Sequence, residues 1–258
     1  MSLMKIAHRL REHDWLAAAI ELVIVIVGIL IALQVSNWNQ ERHDRARGQD
    51  YYRRIHGDLE TDIQRIATTR AYYATVSAYG SAAIANGEEG KLVDGSNWRT
   101  LLAWYQASQI IPFELEDTSF AEMRDAGDLG LIADERLRER LAGYYRTTGT
   151  SITAALLLHN PQYRVQVRGV TPSKIQEYIW ARCYFQLTGV NQKLVDCPAP
   201  ISEAEAGAVL ATYHGTPQLL ENLRYWHTWL GVSDQFIGGP VNDQAKALLA
   251  EIEKAQKR

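Results

Sequence analysis

The residue types best suited to metal binding or proton transfer are scattered along this 258-residue chain. No two of the seven histidines stand four residues apart, the spacing that places two imidazoles on one helix face. His214 and His227 fall on neighbouring predicted helices and could meet, although a hydrogen-bonded structural role is commoner for such residues. Three acids at i+3 spacing could offer carboxylates to a cation, but such rows more often form a solvated helix face: Glu122, Asp125 and Asp128. The sequence therefore predicts no metal site and no cofactor.

The motifs of well-known catalytic sites are absent from the sequence. There is no phosphate-binding G-x-x-x-x-G-K-[ST], no dinucleotide-binding G-x-G-x-x-G, no zinc-binding H-E-x-x-H and no nucleophile-bearing G-x-S-x-G. The 27 Lys and Arg against 30 Asp and Glu give a net charge of -3, which disfavours binding to nucleic-acid phosphates. We therefore predict a protein that is not an enzyme, with no catalytic residue and no nucleic-acid partner.

The only two cysteines, Cys183 and Cys197, stand 14 residues apart. Two thiols are too few for a four-thiolate zinc site, and an even number in a membrane-anchored domain suits a disulfide in an oxidising compartment. Two buried reduced thiols are the alternative. The pattern favours a disulfide and, with it, a soluble domain in the periplasm.

Two stretches rich in Trp and Tyr, at 98–105 and 225–229, could line a ligand pocket. Aromatic side chains more often pack the core of a domain and its rim. Core packing is therefore the expectation for both stretches, with a pocket as the alternative.

The strongest local signal is the apolar segment Trp15–Val35, which reads WLAAAIELVIVIVGILIALQV. As a helix at ~1.5 Å per residue it would span about 31 Å, close to the ~30 Å hydrocarbon core of a bilayer. Its Val, Ile and Leu residues occupy every face, which fits lipid better than the one-sided packing of a core helix. No small-x-small site closes the segment, so an uncleaved anchor is favoured over a signal peptide. The prediction is a single-pass membrane protein.

Glu21 and Gly28 are the candidate functional residues inside this segment. A carboxylate in hydrocarbon costs ~2.5–3.5 kcal/mol and marks a pairing or proton-gating site, unless the span begins near Glu21 and the carboxylate reaches the headgroups. Gly28 and Ala32 form a small-xxx-small pair that lets two helices approach closely. Glu21 and Gly28 share a helix face because they are seven residues apart. A homo-oligomer or a membrane-protein partner within the lipid bilayer is therefore expected.

The remainder of the chain has the periodicity of helices joined by short loops. We predict an all-α fold, with a single N-terminal transmembrane helix followed by a long juxtamembrane helix and a helical-bundle domain. The predicted segments are a short amphipathic N-terminus, the transmembrane helix, the juxtamembrane helix, the all-α soluble domain and a polar C-terminal helix or tail, at 1–14, 15–35, 36–86, 87–240 and 241–258.

Several local features are predicted within these segments. Capping boxes are expected at Ser119 with Glu122 and at Ser202 with Glu205. Thr171-Pro172 predicts a helix start, residues 186–200 a loop, and residues 238–240 a hinge. The predicted inner face of the juxtamembrane helix comprises Tyr52, Ile55, Leu59, Ile63, Ile66, Tyr73 and Val76.

The chain resembles a known family in two stretches, which together cover about a third of its length. These are HDWLAAAIELVIVIVGILIALQVSNWNQERHDRARGQDYYRRIHGDLETDI and TSFAEMRDAGDLGLIADERLRERLAGYY, at residues 13–63 and 118–145. The recognisable features are the acid early in the span (Glu21), the GILIALQ core and the NWN that follows it. The family consists of uncharacterised bacterial single-span membrane proteins and is known as a domain of unknown function. The resemblance implies a membrane-anchored helical protein of bacterial origin and transfers no catalytic residue.

The long juxtamembrane helix and the lack of catalytic motifs together favour one function. The chain is expected to be a membrane-anchored helical sensing or protein-interaction module of unknown molecular activity. Two alternatives remain open at this level. One is a membrane-tethered enzyme with an unrecognised helical site, and the other is a structural subunit of a larger membrane complex.

Overall fold

The computed structural model describes residues 3–111, 113–153, 160–188 and 191–257. The chain is 80% helical with about 3% strand, which confirms the predicted all-α class. Helix α1 extends from Leu3 to Glu89 and includes both the apolar segment and the predicted juxtamembrane helix. The chain divides within α1 into two compact units, Met1–Tyr51 and Tyr52–Arg258.

The second unit contains the C-terminal part of α1 and a series of short helices with one hairpin. In chain order these are α2 (Asn97–Gln106), α3 (Thr118–Asp125), a 3-10 turn (Asp128–Leu131), α4 (Glu135–Thr153), α5 (Gln162–Val170), α6 (Ser173–Arg182), β1 (Tyr184–Thr188), β2 (Asn191–Leu194), α7 (Glu203–Gly215), α8 (Leu219–Phe236), a π-helical turn (Ile237–Val241) and α9 (Asn242–Gln256).

Helix α1 contributes a continuous buried stripe to the core of the second unit. The stripe has the alternating four-and-three spacing of a heptad pattern. Ile63, which was predicted to belong to it, is only half-buried, and Asp62 takes the core position instead. A carboxyl tolerates that position because it receives hydrogen bonds there from other elements. The stripe comprises Ile55, Leu59, Asp62, Ile66, Thr69, Tyr73, Val76, Gly80 and Ala83.

Helix α2 lies at the centre of the core and packs against α5 and α7. Trp104 and Tyr105 are at most 1% exposed, and the aromatic stretch 98–105 therefore forms core, as expected. The polar edges of the surrounding aromatic rings bond to backbone near the end of α2. Tyr163 donates to the Trp104 carbonyl, and the Trp226 indole donates to the Ala107 carbonyl at 2.9 Å.

Residues 186–200 were predicted as a loop, and that prediction is wrong up to Leu194, because β1 and β2 form an antiparallel hairpin. Residues 195–200 contain no helix or strand, as predicted. Tyr184 pairs with Leu194, and Phe185 pairs with Lys193. The strands carry aromatic and aliphatic residues suited to extended structure. An isolated two-stranded hairpin is only marginally stable. Here the disulfide between Cys183 and Cys197 holds its base together.

Of the two predicted capping boxes, one is present and the other is not. The difference is whether the hydrogen-bond partners lie within the same helical turn or in a distant helix. The Ser202–Glu205 capping box is confirmed, with both reciprocal hydrogen bonds present. The Ser119–Glu122 box is wrong, because Ser119 lies inside α3 and Glu122 pairs instead with Arg54 of α1. Asp58 of α1 takes the place of a local cap, since its carboxylate accepts the Ser119 N–H at 3.1 Å.

The remaining predicted boundaries are shifted slightly. Thr171 was predicted to be the N-cap of α6, but it is the C-cap of α5. Pro172 occupies the N-cap position of α6. The predicted hinge at residues 238–240 is a packed π-helical turn between α8 and α9. A Cβ on Gly238 would collide with the Arg70 guanidinium, which pairs with Asp234 at 2.8 Å, so a larger residue there would require the arginine side chain to move.

Candidate functional site

The apolar segment of the first unit carries its side chains on the outside. Every side chain from Ile20 to Trp38 is exposed, with Ile24 at 64% and Leu30 at 59%. Within the described residues, a single helix, at Ala19–Glu89, contains a stretch long and apolar enough to cross a membrane. The surface that this segment offers is apolar on every side.

Glu21 and Gly28 both lie on this exposed surface. A Cβ added to Gly28 would meet nothing within 4 Å, so packing inside the chain does not require glycine there. The two residues stand ~10.5 Å apart along the helix axis, since each residue rises ~1.5 Å. Their role in helix association stays a prediction.

Cys183 and Cys197 form a disulfide, which confirms the predicted pairing. Their Cα atoms are 5.2 Å apart, and both residues are buried. Helix α2 holds both ends of the bridge through its side chains. Gln106 donates to the Cys183 carbonyl and Trp98 donates to the Cys197 carbonyl, each at 3.0 Å.

His214 and His227 bind different turns of α1 and do not form one site. The His214 Nε2 atom is 3.0 Å from Asn86 Oδ1. The His227 Nε2 atom is 3.0 Å from the hydroxyls of both Ser77 and Ser81. Among the described residues, no group of three or more His, Cys, Asp or Glu side chains is placed to hold a metal ion.

The predicted row of acids does not converge on one point. Glu122 pairs with Arg54, and Asp125 accepts from the neighbouring Arg124 at 2.9 Å. Asp128 lies beyond the end of α3, in the following 3-10 turn. Arginines therefore engage the carboxylates of Glu122 and Asp125.

The second aromatic stretch, 225–229, divides between core and surface. Trp226 is 2% exposed, whereas Tyr225 is 72% and Trp229 37% exposed. These three residues line a groove of about 350 Å³ together with Asn222 and residues 161–163. The groove thus combines large aromatic surfaces with the Asn222 amide. Protein interfaces and ligand-binding pockets commonly have this combination.

Asp62 is the most deeply buried carboxyl group of the second unit. It is 0% exposed, accepts the Glu116 N–H at 2.7 Å and accepts the Tyr144 hydroxyl at 3.0 Å. Burial raises the pKa of Asp62 to about 7, although both hydrogen bonds act in the opposite direction. Burial also raises the pKa of Asp58, one turn earlier in α1.

Arg164 and Arg168 form a second polar cluster, which sequence reasoning missed. They stand one turn apart on α5 and reach the end of α2, where they bond to uncharged oxygens. The Arg168 guanidinium lies 5.1 Å from the centre of the Tyr105 ring and 5.2 Å from that of Trp180. Their i,i+4 spacing was the available signal, but that spacing is equally typical of a solvated helix face.

Comparison with known proteins adds no assignment to these sites. No protein-family model, curated protein or solved structure matches this chain.

Proposed function

We propose that the chain is a single-pass bacterial membrane protein whose helical domain acts by binding, as a sensing or protein-interaction module, and not as an enzyme. The observation that carries this proposal is the exposed apolar surface of residues 20–35. Burying a large aliphatic side chain is worth ~1.5–3 kcal/mol, so a long segment exposed to water on all faces would be costly. A bilayer removes that cost without any protein partner.

The Cys183–Cys197 disulfide supports a periplasmic location for the second unit. Disulfides persist in oxidising compartments and are rare where thiols are kept reduced. The resemblance of residues 13–63 to bacterial single-span proteins supports the membrane anchor and the bacterial origin.

The exposed part of the aromatic groove supports a binding role. Tyr225 and Trp229 present ring surface to solvent beside the Asn222 amide. Tyr and Trp are enriched at protein interfaces, because they offer a large apolar face together with a hydrogen-bonding group. The proposed function is accordingly recognition of a partner or ligand by a domain tethered to the membrane.

The anchor can be tested with charges placed in the middle of the apolar segment. We expect wild-type protein to stay in the membrane pellet after carbonate washing. Ile26→Arg combined with Leu30→Arg should release most of the protein, because each charge near the bilayer centre costs ~2.5–3.5 kcal/mol. Immunoblots of pellet and supernatant give the fractions.

The control for the anchor experiment is Gln40→Arg, which adds a charge to an exposed position beyond the segment. This variant should remain in the pellet. Complete release of the wild-type chain by carbonate, or retention of the doubly charged variant, would contradict the membrane assignment.

Glu21 and Gly28 provide a separate test of assembly inside the membrane. Crosslinking in native membranes, followed by purification of the tagged chain, should give a species containing a second copy or another membrane protein. Glu21→Leu and Gly28→Leu should each reduce its amount several-fold, since one removes a polar contact and the other blocks close helix approach.

Val23→Leu is the matched control for assembly, because Val23 lies on the opposite face of the same helix. It should leave the crosslinked population unchanged. A chain that remains monomeric in native membranes, or a population that no variant alters, would contradict a role for Glu21 and Gly28 in association.

A further inference from the structure

Arg164 and Arg168 are two neighbouring cations that form no ion pair with an acid within the part of the chain that the structure describes. Each guanidinium has five N–H donors, and the bonds they form go to neutral oxygens. Arg164 donates to the Ser108 carbonyl at 2.5 Å, and Arg168 donates to the Ser108 hydroxyl at 3.2 Å and to Gln109 Oε1 at 2.9 Å. Most of their donor capacity is left for another acceptor.

Among the described residues, no Asp or Glu forms an ion pair with either arginine. Residues 112, 154–159 and 189–190 contain no acid. Burial, reinforced by the charge of Arg168, lowers the pKa of Arg164 to about 10, and burial lowers that of Arg168 as well. Both effects indicate a positive charge that is poorly compensated within the chain.

The surroundings of the two arginines supply hydroxyl donors and flat apolar walls. Tyr72 is 5% exposed, and its buried hydroxyl has no hydrogen-bond partner among the residues that the structure describes. Burial raises the pKa of the Tyr72 and Tyr184 phenols, and the charges of Arg164 and Arg168 act in the opposite direction. The Trp180 and Tyr184 rings meet edge to face, with their centres 4.6 Å apart.

We propose that Arg164 and Arg168 bind the carboxylate or phosphate group of a small ligand, with the Tyr72 hydroxyl as a further donor and Trp180 beside it. Guanidinium groups match such oxyanions because two parallel N–H bonds reach two oxygens. An oxyanion satisfies both arginines and the Tyr72 hydroxyl at once. This proposal rests on the proposed binding function and adds to it the chemical class of the ligand.

The test titrates the full-length protein, in detergent at low chloride, with inorganic phosphate or with benzoate. Intrinsic tryptophan fluorescence and calorimetry report binding, and we expect saturation by at least one probe below 10 mM, on the order of the millimolar affinity that a few charged contacts give. Saturation by phosphate alone assigns a phosphate ligand, and saturation by benzoate alone assigns a carboxylate.

Arg164→Gln should weaken binding at least tenfold. The matched control is Arg224→Gln, which removes an arginine that forms a surface ion pair with Glu88, and it should leave binding unchanged.

A pair of tyrosine variants separates ligand binding from folding. Tyr72 and Tyr145 carry the buried hydroxyls without partners among the described residues, so removing either one should not destabilise the protein. Tyr72→Phe should weaken the association constant several-fold, and Tyr145→Phe should not change it. Absence of binding by either probe up to 10 mM, or equal effects of the two tyrosine variants, would overturn the site. The carbonate and crosslinking results would still decide the membrane assignment independently.

Discussion

Raising the pH from 5 to 8 should lower the free energy of unfolding of this protein, and Asp62→Asn should remove most of that dependence. The pKa of Asp62 is raised by burial to about 7 in the folded chain, against an ordinary value of 3.8. Between these two values the folded chain keeps a proton that the unfolded chain has lost. The contribution of Asp62 to stability is therefore fully present below the ordinary pKa of 3.8 and is lost as the pH rises through about 7.

The expected loss between pH 5 and pH 8 is ~2.5 kcal/mol, since one pKa unit corresponds to ~1.36 kcal/mol. Asparagine preserves the shape of the site, because its oxygen can accept the Glu116 N–H and its amide can donate to the Tyr144 oxygen. Denaturant unfolding of the full-length protein at the two pH values gives the difference. A smaller slope in the same direction should survive in the variant, since burial raises the pKa of Asp58 too.

The matched control for this experiment is Asp243→Asn, which removes an exposed carboxylate at the start of α9. It should keep the wild-type pH slope. If wild type and Asp62→Asn respond equally to pH, Asp62 does not titrate in the folded protein in this range.

Asp62 also illustrates which features of the fold the sequence could predict. The helical periodicity of α1 follows from the spacing of its apolar residues, and it placed Ile55, Leu59 and Ile66 correctly. Between Leu59 and Ile66 the same pattern admits either residue 62 or residue 63, and hydropathy favours the isoleucine. The outcome depends on Glu116 and Tyr144, which are 54 and 82 residues away.

The two predicted capping boxes also show that hydrogen bonds within one turn can be predicted from the sequence, whereas those to distant residues cannot. The Ser202–Glu205 box closes within one turn, so four residues of sequence were sufficient to predict it. Ser119 is served instead by a carboxylate from α1, which lies 61 residues earlier in the chain. A prediction from neighbouring residues in the sequence cannot identify a contact between residues so far apart in the chain.

The arginine pair shows why a candidate site can escape sequence reasoning. On α5, the spacing of Arg164 and Arg168 alone describes a polar helix face. Their burial results from contacts with the end of α2 and with Trp180 of α6. The disulfide was predictable for the opposite reason, because only two cysteines exist and one pairing is possible.

Removing that disulfide should destabilise the second unit by about 3 kcal/mol. Cys183 and Cys197 are separated by 14 residues, and the bridge limits the conformations of that loop in the unfolded chain, where a 15-residue loop corresponds to ~3 kcal/mol. The Cys183→Ala, Cys197→Ala variant should therefore unfold at a lower denaturant concentration than the oxidised wild type. Its hairpin should also lose protection from amide exchange, since two short strands alone are marginal.

Reductant supplies the control, because it should lower the unfolding midpoint of wild type towards that of the double variant and leave the variant unchanged. Alkylation of thiols in intact cells, followed by mass spectrometry, should find Cys183 and Cys197 joined if the second unit lies in the periplasm. A wild-type midpoint insensitive to reductant would contradict the stabilising role. Two alkylated thiols would place the domain in a reducing compartment, and the Gln106 and Trp98 contacts to the two cysteine carbonyls would then have to hold the hairpin base without the covalent bond.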